Sequence, residues 1–189
     1  MTRPTPPSSP EPAADVPLCV DLDGTLIYGD VSWASFAILL KANPLYLFAM
    51  PFWLLRGHAH LKQQIAARVT IDPARLAYNE IFLDYLKQQH AAGRKLILAT
   101  ASDMKLARLV FNHMKIFSDV VASDGKNNLR GAAKGKVLCE MFGRKQFDYA
   151  GNSSVDLAVW RDSRKAIVVN ARKGLANRAA KESELGMVF

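Results

Sequence analysis

Five short apolar runs, each closed by polar or small residues and separated by stretches of helical period, restrict this 189-residue chain to few architectures. They fall at 18–20, 95–99, 119–122, 147–150 and 166–169. Between them, 103–114 sets Leu106, Leu109, Val110 and Met114 on one helical face behind Ser102, a residue suited to the N-cap. Residues 134–142 and 153–160 read the same way. Strands that alternate with helices imply a parallel sheet with right-handed crossovers, covered on both faces. The length suits one such core plus a modest insertion.

In an open α/β sheet, ligands bind beyond the carboxyl ends of the strands. The first run ends at Asp21-Leu22-Asp23-Gly24-Thr25, the second at Thr100-Ala101-Ser102, and the fourth at Gly151-Asn152-Ser153-Ser154-Val155-Asp156. Lys134, close after Gly131, opens the helix before that fourth run. Lys136 competes with it for any role that needs an ammonium, and the spacing from Gly131 favours Lys134.

These four segments, in this order, resemble the four motifs of the haloacid dehalogenase (HAD) superfamily of hydrolases, over most of the chain after Pro17. The resemblance implies a three-layer, Rossmann-like α/β core with a central parallel sheet, formed by 18–29 and 94–189. It also implies a helical, strongly apolar cap at 30–93, inserted after the first strand. Asp21 would attack phosphorus to give an aspartyl-phosphate, and Asp23 would protonate the leaving oxygen and later deprotonate water. The second acid favours phosphoryl transfer, because displacement at carbon needs no proton for its leaving group. Gly24 and Thr25 would shape the turn around the phosphate. Thr100, with the amides near Ala101, and Lys134 would hold its oxygens. Mg2+ would be held by Asp21, the Asp23 carbonyl, Asn152 and Asp156. Here the chain departs from the commonest pattern, since Asn152 stands where an acid is usual, and weakened Mg2+ affinity is expected. Transfer to an acceptor other than water would use the same residues. A weakly active or inactive module, docked to a membrane or a prenyltransferase, is the reading from another class.

The insertion opens with VSWASFAILL-KAN-PLYLFAMPFWLL, residues 31–55. Lys41, Asn43, Pro44 and Pro51 divide it into pieces of roughly ten residues, each too short to span a bilayer. The expectation is a helical hairpin that packs on the core or dips into a membrane interface, with Trp33, Tyr46, Phe48, Phe52 and Trp53 beside basic residues. Residues 73–91 read as one helix, with Pro73 in its first turn and Leu76, Ile81, Tyr85 and Leu86 on one face. The apolar cap, NLRGAAKGKVL and FDYAGNSSVDLAVW are similar to the hydrolase domain that precedes UbiA-type prenyltransferases in bacterial fusion proteins. That likeness implies a substrate at the membrane surface, such as a prenyl-linked phosphate, and leaves open whether the chain stands alone.

A formal charge of +8 favours anionic partners, phosphorylated small molecules and anionic headgroups among them. No basic block is interleaved with aromatics in the manner of a nucleic-acid binder, so no nucleic-acid partner is expected. Cys19 and Cys139 are too far apart in sequence for a metal pair, and the four histidines form no motif. Reduced thiols point to the cytoplasm, at the inner membrane face if the cap docks. Residues 1–17 hold six of the nine prolines and no apolar cluster, the composition of a disordered tail without a secretory signal.

Overall fold

The computed structural model describes residues 16–170 and 172–189. Among the described residues six parallel strands form one sheet: β1 (Leu18–Val20), β2 (Leu96–Asp103), β3 (Asp119–Ser123), β4 (Asp148–Gly151), β5 (Lys165–Val168) and β6 (Glu184–Val188), in the order β3-β2-β1-β4-β5-β6. The chain leaves β1 toward β2 and later returns to β1's other side as β4, so the sheet reverses its winding beside β1. Such a reversal opens a cleft at the strands' carboxyl ends, where Asp21 and Asp23 lie.

Alternation along the central strands sorts their side chains between two cores. Leu18, Val20, Leu96 and Leu98 face Leu106 and Val110 of α5 (Met104–Met114) and Phe82 and Leu86 of α4 (Glu80–Ala91). Cys19, Ile97, Ala99 and Tyr149 face Leu138 of α6 (Ala132–Phe142) and Trp160 of α7 (Leu157–Trp160). Both faces are dry, which explains why the strands read as continuous apolar runs rather than as alternating ones.

Several sequence expectations shift. β2 runs on through Thr100-Ala101-Ser102 to Asp103, because a register shift after Ala99 lets Asp103 pair with Ser123. Asp103, not Ser102, caps α5, its carboxylate accepting from the Lys105 amide at 2.9 Å. The expected 153–160 helix divides into a 3-10 turn (Ser154–Asp156) and α7. Helix α8 (Leu175–Ala179) and β6 were not legible, since they are short and β6 is exposed along its whole length. The tail expected at 1–17 lies outside the described residues except for its last two. Of those, the Val16 carbonyl accepts from Arg94 at 2.9 Å, and that of Pro17 from the Asp148 amide at 3.0 Å.

The apolar insertion forms the expected hairpin, α1 (Val31–Ala42) and α2 (Tyr46–Leu54), followed by α3 (His58–Arg68). The hairpin turns at Asn43-Pro44, but Pro51 does not divide the second piece; it lies inside α2 on an exposed face. A small core closes the insertion, with Leu39, Ile65 and Val69 packed against Phe36, Tyr46, Met50 and Trp53. Residues 73–91 do not form one helix. Tyr28 and Asn79 donate backbone bonds to Ala77 and Leu26 at 2.7 and 2.9 Å, which holds 76–79 extended between a 3-10 turn (Pro73–Arg75) and α4. The break resets the helical phase, so Phe82, Leu83 and Leu86 are buried, whereas Ile81 is 74% exposed. Helix α4 thereby joins the core of the sheet.

At the opposite end of the strands from Asp21, Asp148 starts β4 between two guanidinium groups. Arg94 binds its Oδ2, and Arg164 binds both oxygens at 2.9 and 2.8 Å. Asp148 and Arg94 are both almost fully buried. Removing one partner of such a pair leaves an uncompensated buried charge, so Asp148→Ala should cost about 3–5 kcal/mol. Thermal unfolding should show it as a loss on the order of 10 °C. A change of a degree or two would mean that the cluster is solvated.

Candidate active site

Beyond the carboxyl ends of β1, β2 and β4 opens a cavity of about 480 Å³. Asp21, Asp23, Gly24, Ala101, Lys134, Asn152 and Asp156 all line it. Side chains separated by up to 135 positions therefore meet at one place.

Asp21 is buried, and its Oδ1 accepts from Lys134 Nζ at 2.7 Å. Lys134 reaches it from the first turn of α6, whose N-cap, Gly131, has φ +56°, a backbone angle that favours glycine. Lys136 points away, 79% exposed beside Glu140. Lys134 also donates to the Tyr149 hydroxyl at 2.8 Å, which donates to Asp156 Oδ1 at 2.9 Å. Asp156 Oδ2 accepts from the amides of Asn152 and Ser153 and from the Ser153 hydroxyl, at 3.1, 2.9 and 2.9 Å. Both oxygens of Asp156 are thus engaged by the protein, bracing Lys134 from behind through Tyr149 and fixing the loop that carries Asn152. Burial, opposed by Lys134 and reinforced by Asp156 and Asp23, pushes the Asp21 carboxyl up to about 7.

Asp23 is held by a different set of donors. Its Oδ1 accepts from the Val31 amide, at the start of α1, at 2.7 Å, and its Oδ2 accepts from Ser102 at 2.6 Å and Thr100 at 3.4 Å. Burial, with Asp30 nearby, raises its carboxyl to about 6 against the pull of the Ser102 and Val31 bonds. The two acids are therefore distinct in environment: one is paired with a lysine, the other sits among hydroxyls and a helix amide.

Gly24 has φ +74°, and a Cβ there would meet the Asn152 amide nitrogen at 2.1 Å. The turn therefore needs glycine for its conformation and for its closeness to Asn152. Thr25 is fully buried, and its hydroxyl has no hydrogen-bond partner among the described residues. Thr100 is also fully buried, its hydroxyl accepting from the Ser102 amide at 3.0 Å and facing Asp23; Ala101 is the residue of that strand end that lines the cavity.

Four residues at the site have no place in it from the sequence alone. Ser102 was expected as a cap and instead binds Asp23. Tyr149 read as an ordinary strand residue. Arg130 lines the cavity. Lys62 crosses from α3 to the Ala101 carbonyl at 2.7 Å, burial lowering the pKa of its ammonium. No sequence signal marks Lys62, because only the folding of the insertion over β2 brings it there.

The cavity offers oxygen donors of the kind a hard divalent cation takes. Among the described residues no three carboxylate, imidazole or thiolate groups converge as a metal cluster. Asp21, the Asp23 carbonyl and the Asn152 amide oxygen do make an all-oxygen set around one cavity, and that carbonyl accepts no backbone bond among the described residues. Those residues fit Mg2+ with one carboxylate and two neutral oxygens.

No family model matches the chain. An uncharacterized protein of Sinorhizobium fredii, y4nM, is 34% identical over 155 residues, which cover 82% of this chain and 30% of that protein. The chain thus spans less than a third of that relative. Among solved structures, a HAD family hydrolase from Salmonella enterica serovar Typhi superposes with a TM-score of 0.62 at 13% identity, over 90% of this chain and 68% of that one. A phosphoserine phosphatase in its apo form does so with a TM-score of 0.60 at 13% identity, over 92% and 93%. The fold is that of the HAD-superfamily hydrolases.

Proposed function

We propose that this chain is a Mg2+-dependent phosphomonoesterase that acts through an aspartyl-phosphate on Asp21. One observation carries the reading: two carboxylates two residues apart share a cavity but differ in partners, Asp21 bound by Lys134 and Asp23 by hydroxyls and an amide. An Asp21 oxygen forms a bond to phosphorus while the ester P–O bond breaks, and the leaving oxygen takes a proton from Asp23. Water then attacks phosphorus, Asp23 takes its proton, and the Asp21–phosphorus bond breaks to release phosphate. Lys134 offsets the negative charge that gathers on the transferring group. Asp21, the Asp23 carbonyl and Asn152 would hold Mg2+, with Asp156 fixing the Asn152 loop from behind. When bound, the metal supplies further charge neutralisation at the phosphoryl oxygens. Ala101 would shape the phosphate end of the cavity, with buried Thr25 and Thr100 supporting the turn after β1 and the end of β2 behind it.

The purified chain should hydrolyse an aryl phosphate with Mg2+ and lose turnover in chelator. Asn152→Asp restores a formal charge to the donor set and should lower half-saturating Mg2+ by about tenfold. An unchanged Mg2+ dependence would remove Asn152 from the metal site. A second reading, a weakly active docking module, is favoured by Asn152 and by the apolar cap. It would be preferred if the wild type were inert at all Mg2+ concentrations while Asn152→Asp turned over.

For the substrate, the proposal extends to phosphates held at a membrane surface, prenyl-linked ones included, and for the partner to a UbiA-type prenyltransferase. Its supports are the apolar cap and the motif likeness. No helix among the described residues is long and apolar enough to cross a membrane.

A further inference from the structure

We propose that the outer face of the α1–α2 hairpin is a docking surface for an anionic lipid bilayer, lying flat in the interface. Helix α2 is apolar on both sides. Inward, Tyr46, Met50 and Trp53 close the small core of the insertion. Outward, Phe48, Phe52 and Leu55 are 75, 70 and 84% exposed, and Trp33 of α1 is 69% exposed. Trp33 stacks on Phe36 at 4.9 Å between ring centroids, but Phe48, Phe52 and Leu55 have no part in the small core, so packing gives no reason for those three to be aromatic or leucine. A face meant for water would carry charge there.

The charges around the patch choose its occupant. Residues 31–71 contain no Asp or Glu, a run of 41 residues, but do contain Lys41, Arg56, Lys62 and Arg68. Arg68 is engaged by the Tyr46 and Trp53 rings, and Lys62 by the cavity. Lys41 and Arg56, at the exposed ends of α1 and α2, are placed to meet headgroups while the aromatics enter beneath them. An apolar layer under an anionic one is the chemistry of a bilayer surface. At 12 and 9 residues, neither helix could cross it.

Docking stands apart from catalysis. Only its consequence rests on the phosphatase reading: Lys62 of α3 and Asp30, the cap of α1, line the cavity, so a docked hairpin would bring that cavity to lipid-held phosphates.

The test is flotation of the full chain with vesicles of phosphatidylcholine, with and without phosphatidylglycerol, alongside aryl phosphate turnover in vesicle-free buffer. The protein should float with the anionic vesicles, more weakly with the neutral ones, and less as salt rises. The double variant Phe48→Glu/Phe52→Glu should reduce the bound fraction by at least about tenfold, with turnover in buffer unchanged. Recovery of the wild type in the unbound fraction with both vesicles would overturn the proposal, as would undiminished floating of the variant. A concentration-dependent dimer that the variant dissolves, without vesicle binding, would assign the face to a second copy instead. A wild type that floats with the anionic vesicles but shows no turnover in buffer would count against the phosphatase reading only.

Discussion

Asp21→Asn should abolish phosphate release, lowering turnover by at least about four orders of magnitude, the scale seen when a covalent nucleophile is removed. The variant should fold, since an amide fills the same space, and it should lack the covalent phosphoenzyme that the wild type forms on brief exposure to substrate. Turnover equal to the wild type would rule out Asp21 as nucleophile. A second readout is independent of activity. In metal-free protein the Asp21 carboxyl stands at about 7 against an ordinary 3.8, because burial disfavours its charge. Between those values the folded state binds more protons than the unfolded one, so this group's contribution to stability falls as pH rises through the window and is level above it. The asparagine variant cannot lose that contribution. Its thermal midpoint relative to the wild type should therefore rise from pH 4 to pH 7 in chelator, where the wild-type carboxyl stands at about 7. Added Mg2+ should then stabilise the wild type and leave the variant unmoved.

Why the sequence revealed the two acids but not their surroundings follows from what each signal depends on. The strand ends were legible because a sheet buried on both faces writes each strand as an apolar run, and the residue that ends the run is at the cleft whatever else the chain does. Asp21, Asp23, Lys134 and Asn152 needed only that rule and their order. Ser102, Tyr149 and Lys62 needed register and tertiary placement. Ser102 precedes a helix and so looks like a cap, until the β2–β3 ladder is seen to continue to Asp103 and pass the cap to it. Tyr149 sits mid-run in β4, and only the approach of α6 turns its hydroxyl into the link between Lys134 and Asp156. The same limit explains the false helix at 73–91. A helix does form over α4, but it turns Phe82, Leu83 and Leu86 inward rather than Ile81, because the pairing of 76–79 with the segment after β1 is a long-range contact that no local pattern encodes.

Asp23→Asn should slow phosphate release by about 10²–10⁴-fold, the usual worth of a positioned acid/base, and the size of the loss should depend on the leaving group. Asp23 stands at about 6, close enough to neutrality to give a proton and then take one back. An alkyl phosphate departs as a strongly basic alkoxide unless it is protonated, so the variant should fail at the first displacement. A nitrophenyl phosphate leaves without help, so phosphorylation of Asp21 should proceed. Water attack still lacks its base, and the phosphoenzyme should accumulate after a burst of nitrophenol. The amide keeps the Asp23 position filled, and Ser102 and the Val31 amide, which bind the wild-type carboxylate at 2.6 and 2.7 Å, hold it in place, so a shift in folding does not imitate this pattern. Equal losses on both substrates, with no burst, would mean that Asp23 serves to position the loop and that the proton comes from elsewhere in the cavity.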